Sequence, residues 1–167
     1  MRPVLLEDAH ALADLYTRNA AHLSPWEPRR DASFYSLTGQ KAVLASKLEQ
    51  FEAGSEVPWV ITLQDKPIGM ATLTGIVRGP FLSANLGYWV DYAQTGNGVA
   101  SAAVSSVAAM ARDELGLHRV QAGTLLHNVA SQRVLKRNGF DRIGVASAYL
   151  CIAGTWQDHV LYQRILF

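Results

Sequence analysis

The sequence lacks most features that mark secreted, membrane-spanning or nucleic-acid-binding proteins. It has a single cysteine, Cys151, among 167 residues, which excludes an internal disulfide and agrees with a reducing compartment. A formal net charge of +1 gives no electrostatic basis for binding nucleic acid. No apolar run approaches the ~20 residues of a membrane span, and no signal-peptide pattern opens the chain. We therefore expect one cytoplasmic domain over residues 1–167, without a membrane or nucleic-acid partner.

The hydrophobic periodicity predicts a mixed α/β fold, in which helices pack against a mixed sheet. Apolar residues recur at helical spacing in the longer segments, and shorter segments alternate as strands do. The second helix is expected to bury a face made of Leu37, Val43, Leu44, Leu48 and Phe51. The predicted order is β-α-α-β-β-β-α-β-α-β-β, with strands at 4–6, 59–63, 68–73, 83–91, 118–124, 141–152 and 156–165, and helices after residue 7 and over 36–52, 96–115 and 129–138.

A loop with two glycines, Thr95-Gly96-Asn97-Gly98-Val99-Ala100, joins the predicted strand at 83–91 to the helix that follows it. Such a loop exposes backbone N–H groups, and the dipole of the helix adds partial positive charge. An anion can therefore bind there without a lysine or an arginine. We interpret residues 95–100 as a candidate phosphate site, with a plain glycine-rich turn as the structural alternative.

Three kinds of phosphate-binding loop were compared with this stretch. A Walker loop requires Lys-Ser or Lys-Thr after its second glycine, where this chain has Val99-Ala100. A dinucleotide fingerprint requires a glycine or alanine at Ser101 and an acidic residue after the next strand, where residues 126–128 are Leu-His-Asn. The third kind is the pyrophosphate loop of an acyl-CoA transferase, and the rest of the chain has to decide between it and a plain turn.

Two further stretches carry residues at characteristic spacing. In the first, Asn128 precedes Ser131 by three positions, ahead of a basic and apolar helix that ends at Gly139-Phe140. Asn128 is suited to cap that helix, and Gly139 is suited to the left-handed residue at its end. The second stretch, 152–162, predicts a closing hairpin that turns at Ala153-Gly154-Thr155.

Together with the glycine loop, these stretches resemble the GNAT acetyltransferase superfamily, whose loop has the form Gln/Arg-x-x-Gly-x-Gly/Ala. This chain departs from that form in having Thr95 at the first position, although Gln94 lies one residue earlier. The hairpin at 152–162, the loop at 22–28 and the strand residues 86–89 resemble the RimJ/RimL-type branch of ribosomal-protein alanine/serine N-acetyltransferases. The resemblance implies the GNAT acyl-CoA N-acyltransferase fold.

The resemblance further implies an acetyl-CoA-dependent N-acetyltransferase, an acyltransferase that moves an acetyl group to a primary amine. The implied acceptor is the N-terminal amine of a protein, which in this branch is a ribosomal protein. Two alternatives stay open: acetylation of a small amine such as a polyamine, amino acid or antibiotic, and a CoA-binding module without catalysis. We expect a monomer or homodimer that uses acetyl-CoA as cosubstrate. No metal is expected, because the histidines and the cysteine lack companions at ligand spacing.

The resemblance also implies which residues form the site. Asn128 would bind pantetheine, and Ser131 would return a proton to the leaving thiolate, with helix capping as the alternative role for both. The implied catalytic residues are thus Ser131 and Asn128, and the implied substrate-binding residues are Trp26, Glu27, Trp156 and Asp158. The implied cofactor-binding residues are Trp89, Val90, Asp91, Thr95, Gly96, Asn97, Gly98, Val99, Ala100, Asn128 and Ser131.

The sequence leaves the general base open. Many relatives carry a glutamate where this chain has Asn85, and an amide cannot accept a proton at neutral pH. The candidates are then Glu27 and His22 in the first loop, and Asp158 and His159 in the final hairpin. Water alone is a further candidate, because the ordinary pKa of an α-amino group lies near 7.7–8.0 and part of it is already neutral at pH 7.

Overall fold

The computed structural model describes residues 1–167 as a seven-stranded sheet with α-helices on both faces. The strands are β1 (Arg2–Pro3), β2 (Glu56–Leu63), β3 (Lys66–Val77), β4 (Ser83–Val90), β5 (Arg119–Leu125), β6 (Asp141–Ile152) and β7 (Thr155–Ile165), and the helices are α1 (Ala9–Leu23), α2 (Leu37–Glu52), α3 (Val99–Asp113) and α4 (Val129–Arg137). The strands lie in the order β1-β2-β3-β4-β5-β7-β6, and all neighbours are antiparallel except β4 and β5. None of the helices has the length and apolar character that crossing a bilayer requires.

The mixed α/β class and the predicted order of helices and strands are confirmed. The position of the first strand was wrong, because the strand covers Arg2–Pro3 and residues 6–8 form a 3₁₀ turn. The Asp8 carboxylate favours this turn, since it accepts hydrogen bonds from the Leu5 amide at 2.8 Å and from the guanidinium of Arg2. Val4 follows β1 and stays beside the sheet, where its amide donates to the Pro58 carbonyl at 3.2 Å.

Helix α3 is shorter than predicted at both ends. It begins at Val99 rather than at residue 96, because Gly96 and Gly98 have φ angles of 81° and 78°, which no right-handed helix contains. It ends at Asp113, and Gly116 follows with a φ of 59°. The Leu117 amide then donates to a carbonyl in the last turn of α3 at 2.8 Å, as is typical of a glycine-terminated helix.

The predicted buried face of α2 was wrong at its two ends. Leu37 and Phe51 are 41% and 45% exposed, whereas Leu44 and Gln40 are fully buried. The burial of Gln40 is explained by its amide, which donates to the Phe34 carbonyl at 2.6 Å in the preceding 3₁₀ turn. Helix α2 therefore packs through its middle, and its first and last turns extend past the edge of the core.

Strand β4 contributes to hydrophobic clusters on both faces of the sheet. Leu86 belongs to the larger cluster, which includes buried residues of α3 and α4, and Tyr88 and Val90 pack against it. Trp89 points the other way and packs against the smaller cluster under α1, where its Nε1 donates to the Tyr16 hydroxyl at 3.0 Å. The alternation that predicts the strand thus fixes which of its residues face α3 and α4.

Strands β4 and β5 separate part of the way along their length. They pair only through Ser83–Arg119, Ala84–Val120 and Asn85–Gln121, although β4 continues to Val90 and β5 to Leu125. Beyond these pairs, β4 pairs only with β3, and β5 pairs only with β7. A gap therefore opens between the carboxyl ends of two parallel strands, the place where open α/β sheets bind their ligands.

Candidate active site

A groove of about 420 Å³ leads from the gap between β4 and β5 to the N-terminus of α3. The end of β4 and the glycine loop form one wall, and α4 forms the other. The groove brings together most of the residues implied as cofactor-binding, namely Trp89, Val90, Thr95, Gly96, Gly98, Val99, Ala100, Asn128 and Ser131.

The glycine loop presents uncommitted backbone amides to this groove. The amides of residues 96–101 donate to no acceptor in the protein, and the first amide of α3 that does is that of Ala102, to the Gly98 carbonyl. At Gly96 and Gly98 the positions that a Cβ would occupy have nothing within 4 Å, so a ligand has room to approach the backbone. This arrangement is suited to an anion, as predicted from the sequence.

Side chains that the sequence reasoning did not assign add to this anion site. Arg133 and Arg137 line the groove from α4 and bring two positive charges to it. Gln94 also lines the groove, and its side chain makes no hydrogen bond within the protein. The hydroxyl of Thr95, in contrast, donates to the Tyr92 carbonyl at 2.8 Å. Gln94 is therefore the side chain that is free to meet a ligand at the start of the loop.

Asp91 and Asn97 do not line the groove, although they belong to the implied cofactor-binding set. Asp91 is 6% exposed, and its amide donates to the Ile68 carbonyl at 2.7 Å, so this amide is committed to the sheet. Its carboxylate accepts a 2.6 Å hydrogen bond from Arg18 of α1. Burial alone would raise the pKa of Asp91, but the hydrogen bonds from Arg18, Ala93 and Asn19 together lower it.

Three polar side chains meet at the start of α4. Asn128 caps the helix, as predicted, because its Oδ1 accepts from the Ser131 amide at 3.1 Å. The Ser131 hydroxyl lies 2.8 Å from the hydroxyl of Tyr88 on β4. Burial raises the pKa of Tyr88 to about 12, so its phenol stays protonated at neutral pH, and either hydroxyl can donate in this pair. Sequence reasoning missed Tyr88, because the alternation of β4 gives its face but not its partner.

A second and larger groove, of about 670 Å³, lies on the α1 and α2 side of β4. Trp26 and Glu27 line it together with Trp89, so two of the four implied substrate-binding residues are there. Burial raises the pKa of Glu27, although Arg30 at 3.5 Å opposes this effect. Its half-buried carboxyl group is therefore a weaker acid than an exposed glutamate.

The loop that carries Trp26 is held by the closing hairpin. The Glu27 carbonyl accepts from the Ala153 amide at 3.0 Å, and the Arg29 Nε donates to the Ala153 carbonyl at 3.0 Å. Gly154 makes room for this contact, since a Cβ there would collide with the Arg29 side chain. Trp26 lines both grooves and a smaller cavity in the gap. The hydrogen bonds to Ala153 therefore position a side chain that all three cavities share.

Trp156 and Asp158, the other two implied substrate-binding residues, are not brought to any of these cavities. The Trp156 side chain is 69% exposed, and Asp158 Oδ1 accepts from the Ala148 amide at 2.8 Å across the hairpin. His159 follows on the opposite face of β7 and is 3% exposed in the gap. No group of three or more His, Cys, Asp or Glu side chains is arranged to hold a metal ion.

A mixed sheet split between two parallel strands, with an anion site at the following helix, is the architecture of acyl-CoA-dependent N-acyltransferases. Residues 1–141 match the family profile described as the acetyltransferase (GNAT) domain. The chain belongs to this family and is an N-acetyltransferase, so the predicted superfamily and enzyme class are confirmed.

Named relatives place the chain near the RimJ/RimL-type branch. It is 36% identical over 156 residues to the [Ribosomal protein uS5]-alanine N-acetyltransferase of Escherichia coli (strain K12), with 92% of this chain and 80% of the relative covered. It is 33% identical over 161 residues to Probable N-acetyltransferase YjcK of Bacillus subtilis (strain 168), with 95% and 89% covered.

Solved structures agree with this placement. Mycobacterium smegmatis RimJ in complex with CoA-disulfide superposes with a TM-score of 0.95 at 31% identity, covering 98% of this chain and 80% of that one. Ribosomal-protein-S5-alanine acetyltransferase from Vibrio fischeri superposes with a TM-score of 0.92 at 32% identity, covering 98% and 91%. The resemblance predicted from the sequence motifs is therefore confirmed.

Proposed function

We propose that this enzyme transfers the acetyl group of acetyl-CoA to the N-terminal amine of a protein, with a ribosomal protein as the acceptor. The observation that carries the proposal is the gap between β4 and β5, with the unpaired amides of residues 96–101 at one end and an open groove at the other. The relatives named as ribosomal-protein alanine N-acetyltransferases support the choice of acceptor.

The residues around the first groove fit acetyl-CoA. The amides of residues 96–101 would hold its pyrophosphate, with Arg133, Arg137 and Gln94 adding charge and hydrogen bonds. Successive N–H groups of a strand point in opposite directions, and that of Asp91 donates to β3. The Val90 amide is therefore expected to point into the gap, where it would bind pantetheine or the thioester carbonyl.

When bound, acetyl-CoA would supply a thioester whose carbonyl carbon is open to attack by an amine. The chain supplies a proton donor for the sulfur, because Ser131 is hydrogen-bonded to a Tyr88 hydroxyl that stays protonated. A thiol has an ordinary pKa near 8.5, so the thiolate is a tolerable leaving group and this donor accelerates the reaction without being obligatory. The Ser131–Tyr88 pair therefore favours a catalytic enzyme over a module that binds CoA without turnover.

The second groove favours a peptide over a polyamine as acceptor. It is open, and the carboxylate that lines it, that of Glu27, is already paired with Arg30. The other cation in its lining, Lys47, is paired with Glu56. A polyamine would require several carboxylates to balance its charges. A peptide chain, with one α-ammonium group and an extended backbone, fits a groove of this size and charge.

We further propose that residues 1–167 act as one domain in the cytoplasm, as a monomer or homodimer and without nucleic acid or membrane. The net charge of +1 and the single cysteine support this assignment.

The proposal is tested by measuring thiol release from acetyl-CoA with different acceptors. Peptides beginning with alanine or serine are compared with spermidine and free lysine, and kcat/KM is determined for each. Nα-acetylated versions of the same peptides, without lysine, serve as matched controls. We expect the free peptides to give the highest kcat/KM and the blocked peptides to give no turnover. Faster turnover of spermidine than of every peptide would contradict the proposal.

A further inference from the structure

A small cavity of about 190 Å³ occupies the gap between β4 and β5 and connects the two sides of the sheet. Asn128 and Ser131 line it from the start of α4. Trp26 lines it from the first loop, and His159 lines it from the closing hairpin. If acetyl-CoA binds as proposed, the amine and the thioester meet in this gap. His159, one of the four side chains that the sequence offered as the general base, is 3% exposed there.

The hydrogen bonding of His159 fixes its tautomer. Its Nδ1 lies 3.0 Å from the Gln157 carbonyl oxygen, which can only accept, so Nδ1 carries the proton. The Nε2 atom then holds a lone pair, and it has no hydrogen-bond partner within the protein. The ring packs against Tyr149 of β6, with 5.5 Å between the ring centroids. Gly123 of β5 lies beside the ring, and a Cβ there would be in ordinary van der Waals contact with it at 3.6 Å.

The cavity offers no other proton acceptor that is active near neutral pH. The titratable groups that face His159 are Tyr88 from β4 and Tyr149 from β6, whereas β5 presents Gly123 and Leu125. Tyr88 stays protonated at neutral pH and so is no base, because burial raises its pKa to about 12. The imidazole of His159, with a lone pair on an Nε2 that no protein group occupies, is the side chain in the cavity that can accept a proton.

We propose that Nε2 of His159 is the general base that accepts the proton lost by the acceptor amine, an inference that rests on the proposed function. The amine nitrogen forms a bond to the acetyl carbon, the bond from that carbon to sulfur breaks, and the N–H proton passes to Nε2. The departing thiolate takes a proton from the Ser131 hydroxyl, Ser131 takes one from the Tyr88 hydroxyl, and Tyr88 recovers its proton from water. The imidazolium releases its proton to water, so that amine and thioester yield amide and thiol.

The test compares His159→Asn with the wild type over a range of pH, using acetyl-CoA and a peptide with N-terminal alanine. Asparagine retains an N–H group for the Gln157 carbonyl but has no basic nitrogen. We expect kcat at pH 7 to fall by about 10²- to 10⁴-fold, the typical range of general base catalysis. The loss is expected to shrink as the pH rises, because hydroxide can then accept the N–H proton in place of Nε2. The Kd for acetyl-CoA, measured by calorimetry, is expected to stay unchanged.

His118→Asn is the matched control, because that ring packs against Phe167 and lines none of the three cavities. An equal loss of kcat at every pH, or a loss within the error of the control, would overturn the base assignment. Absence of acetyl-CoA binding by the wild type would instead refute the proposed function.

Discussion

The carboxylate of Asp91 ties α1 to the segment that leads into the anion site. Its Oδ2 accepts from Arg18 at 2.6 and 3.1 Å, and its Oδ1 accepts from the amides of Asn19 and Ala93 at 3.2 Å each. Asn19 in turn accepts from the Tyr92 amide at 2.8 Å. Replacing Asp91 by asparagine keeps an acceptor for Asn19 and Ala93 but removes the charge and turns an N–H₂ group toward Arg18.

The expected loss of stability follows from these contacts. A hydrogen bond between charged groups contributes about 1.5–3 kcal/mol. Arg18 is 52% exposed in its side chain, so water compensates part of its loss, and we expect a cost of about 2 kcal/mol, in the lower half of that range. For a chain of this length that corresponds to a decrease in Tm of about 4–8 °C. If the whole cost falls on the loop conformation that binds acetyl-CoA, the Kd rises by at most about 30-fold.

Thermal unfolding and calorimetric titration with acetyl-CoA measure both effects. Asp113→Asn is the matched control, because its ion pair with Arg112 is exposed, and we expect its Tm and Kd to equal those of the wild type. If Asp91→Asn unfolds at the same temperature as this control, the role assigned to the Asp91 contacts is refuted.

The same variant reports on acid stability. The pKa of Asp91 is lowered in the folded protein, so its stabilising contribution is complete above the ordinary carboxyl pKa of about 4 and is lost as the pH falls through the lowered value. We therefore expect the difference in unfolding free energy between wild type and Asp91→Asn to diminish on acidification. A difference that grew with falling pH would contradict this sign.

Three further substitutions test other parts of the structure. Gly98→Glu places negative charge at the unpaired amides and is expected to abolish acetyl-CoA binding in calorimetry, whereas Gly79→Glu, at a remote glycine that also has positive φ, should bind normally. Tyr88→Phe removes the partner of the serine hydroxyl and should lower the rate of thiol release by about 10-fold or more while leaving the Kd unchanged; an unchanged rate would exclude a proton relay. Gly69→Ala drives a Cβ into the β4 backbone and should cost about 1–3 kcal/mol in urea unfolding, a loss that Gly144→Ala, with open space around it, should not reproduce.

The order of the elements could be predicted because it depends on local patterns. The glycine loop ahead of α3 and the Asn128 cap depend on a few neighbouring residues, so their places in the chain could also be predicted from the sequence. The boundaries of α3 could not, since a glycine adopts positive or negative φ with similar ease and the sequence does not say which.

Contacts between distant segments could not be predicted in the same way. Tyr88 and Ser131 are 43 residues apart, and their hydrogen bond depends on how α4 sits over the gap. Trp156 and Asp158 share a hairpin with His159, and the register of that hairpin decides that His159 alone of the three reaches the gap. Likewise, the ends of α2 are exposed because the helix extends past the core. The periodicity of a single helix does not predict where the core ends.

The most direct test of the central claim is to locate the acetyl group that the enzyme transfers. The wild type is incubated with acetyl-CoA and a peptide that has N-terminal alanine and an internal lysine, and tandem mass spectrometry identifies the modified nitrogen. The account predicts acetylation at the α-amine and not at the lysine side chain. Acetylation of the lysine, or an unmodified peptide under conditions in which spermidine is acetylated, would contradict it.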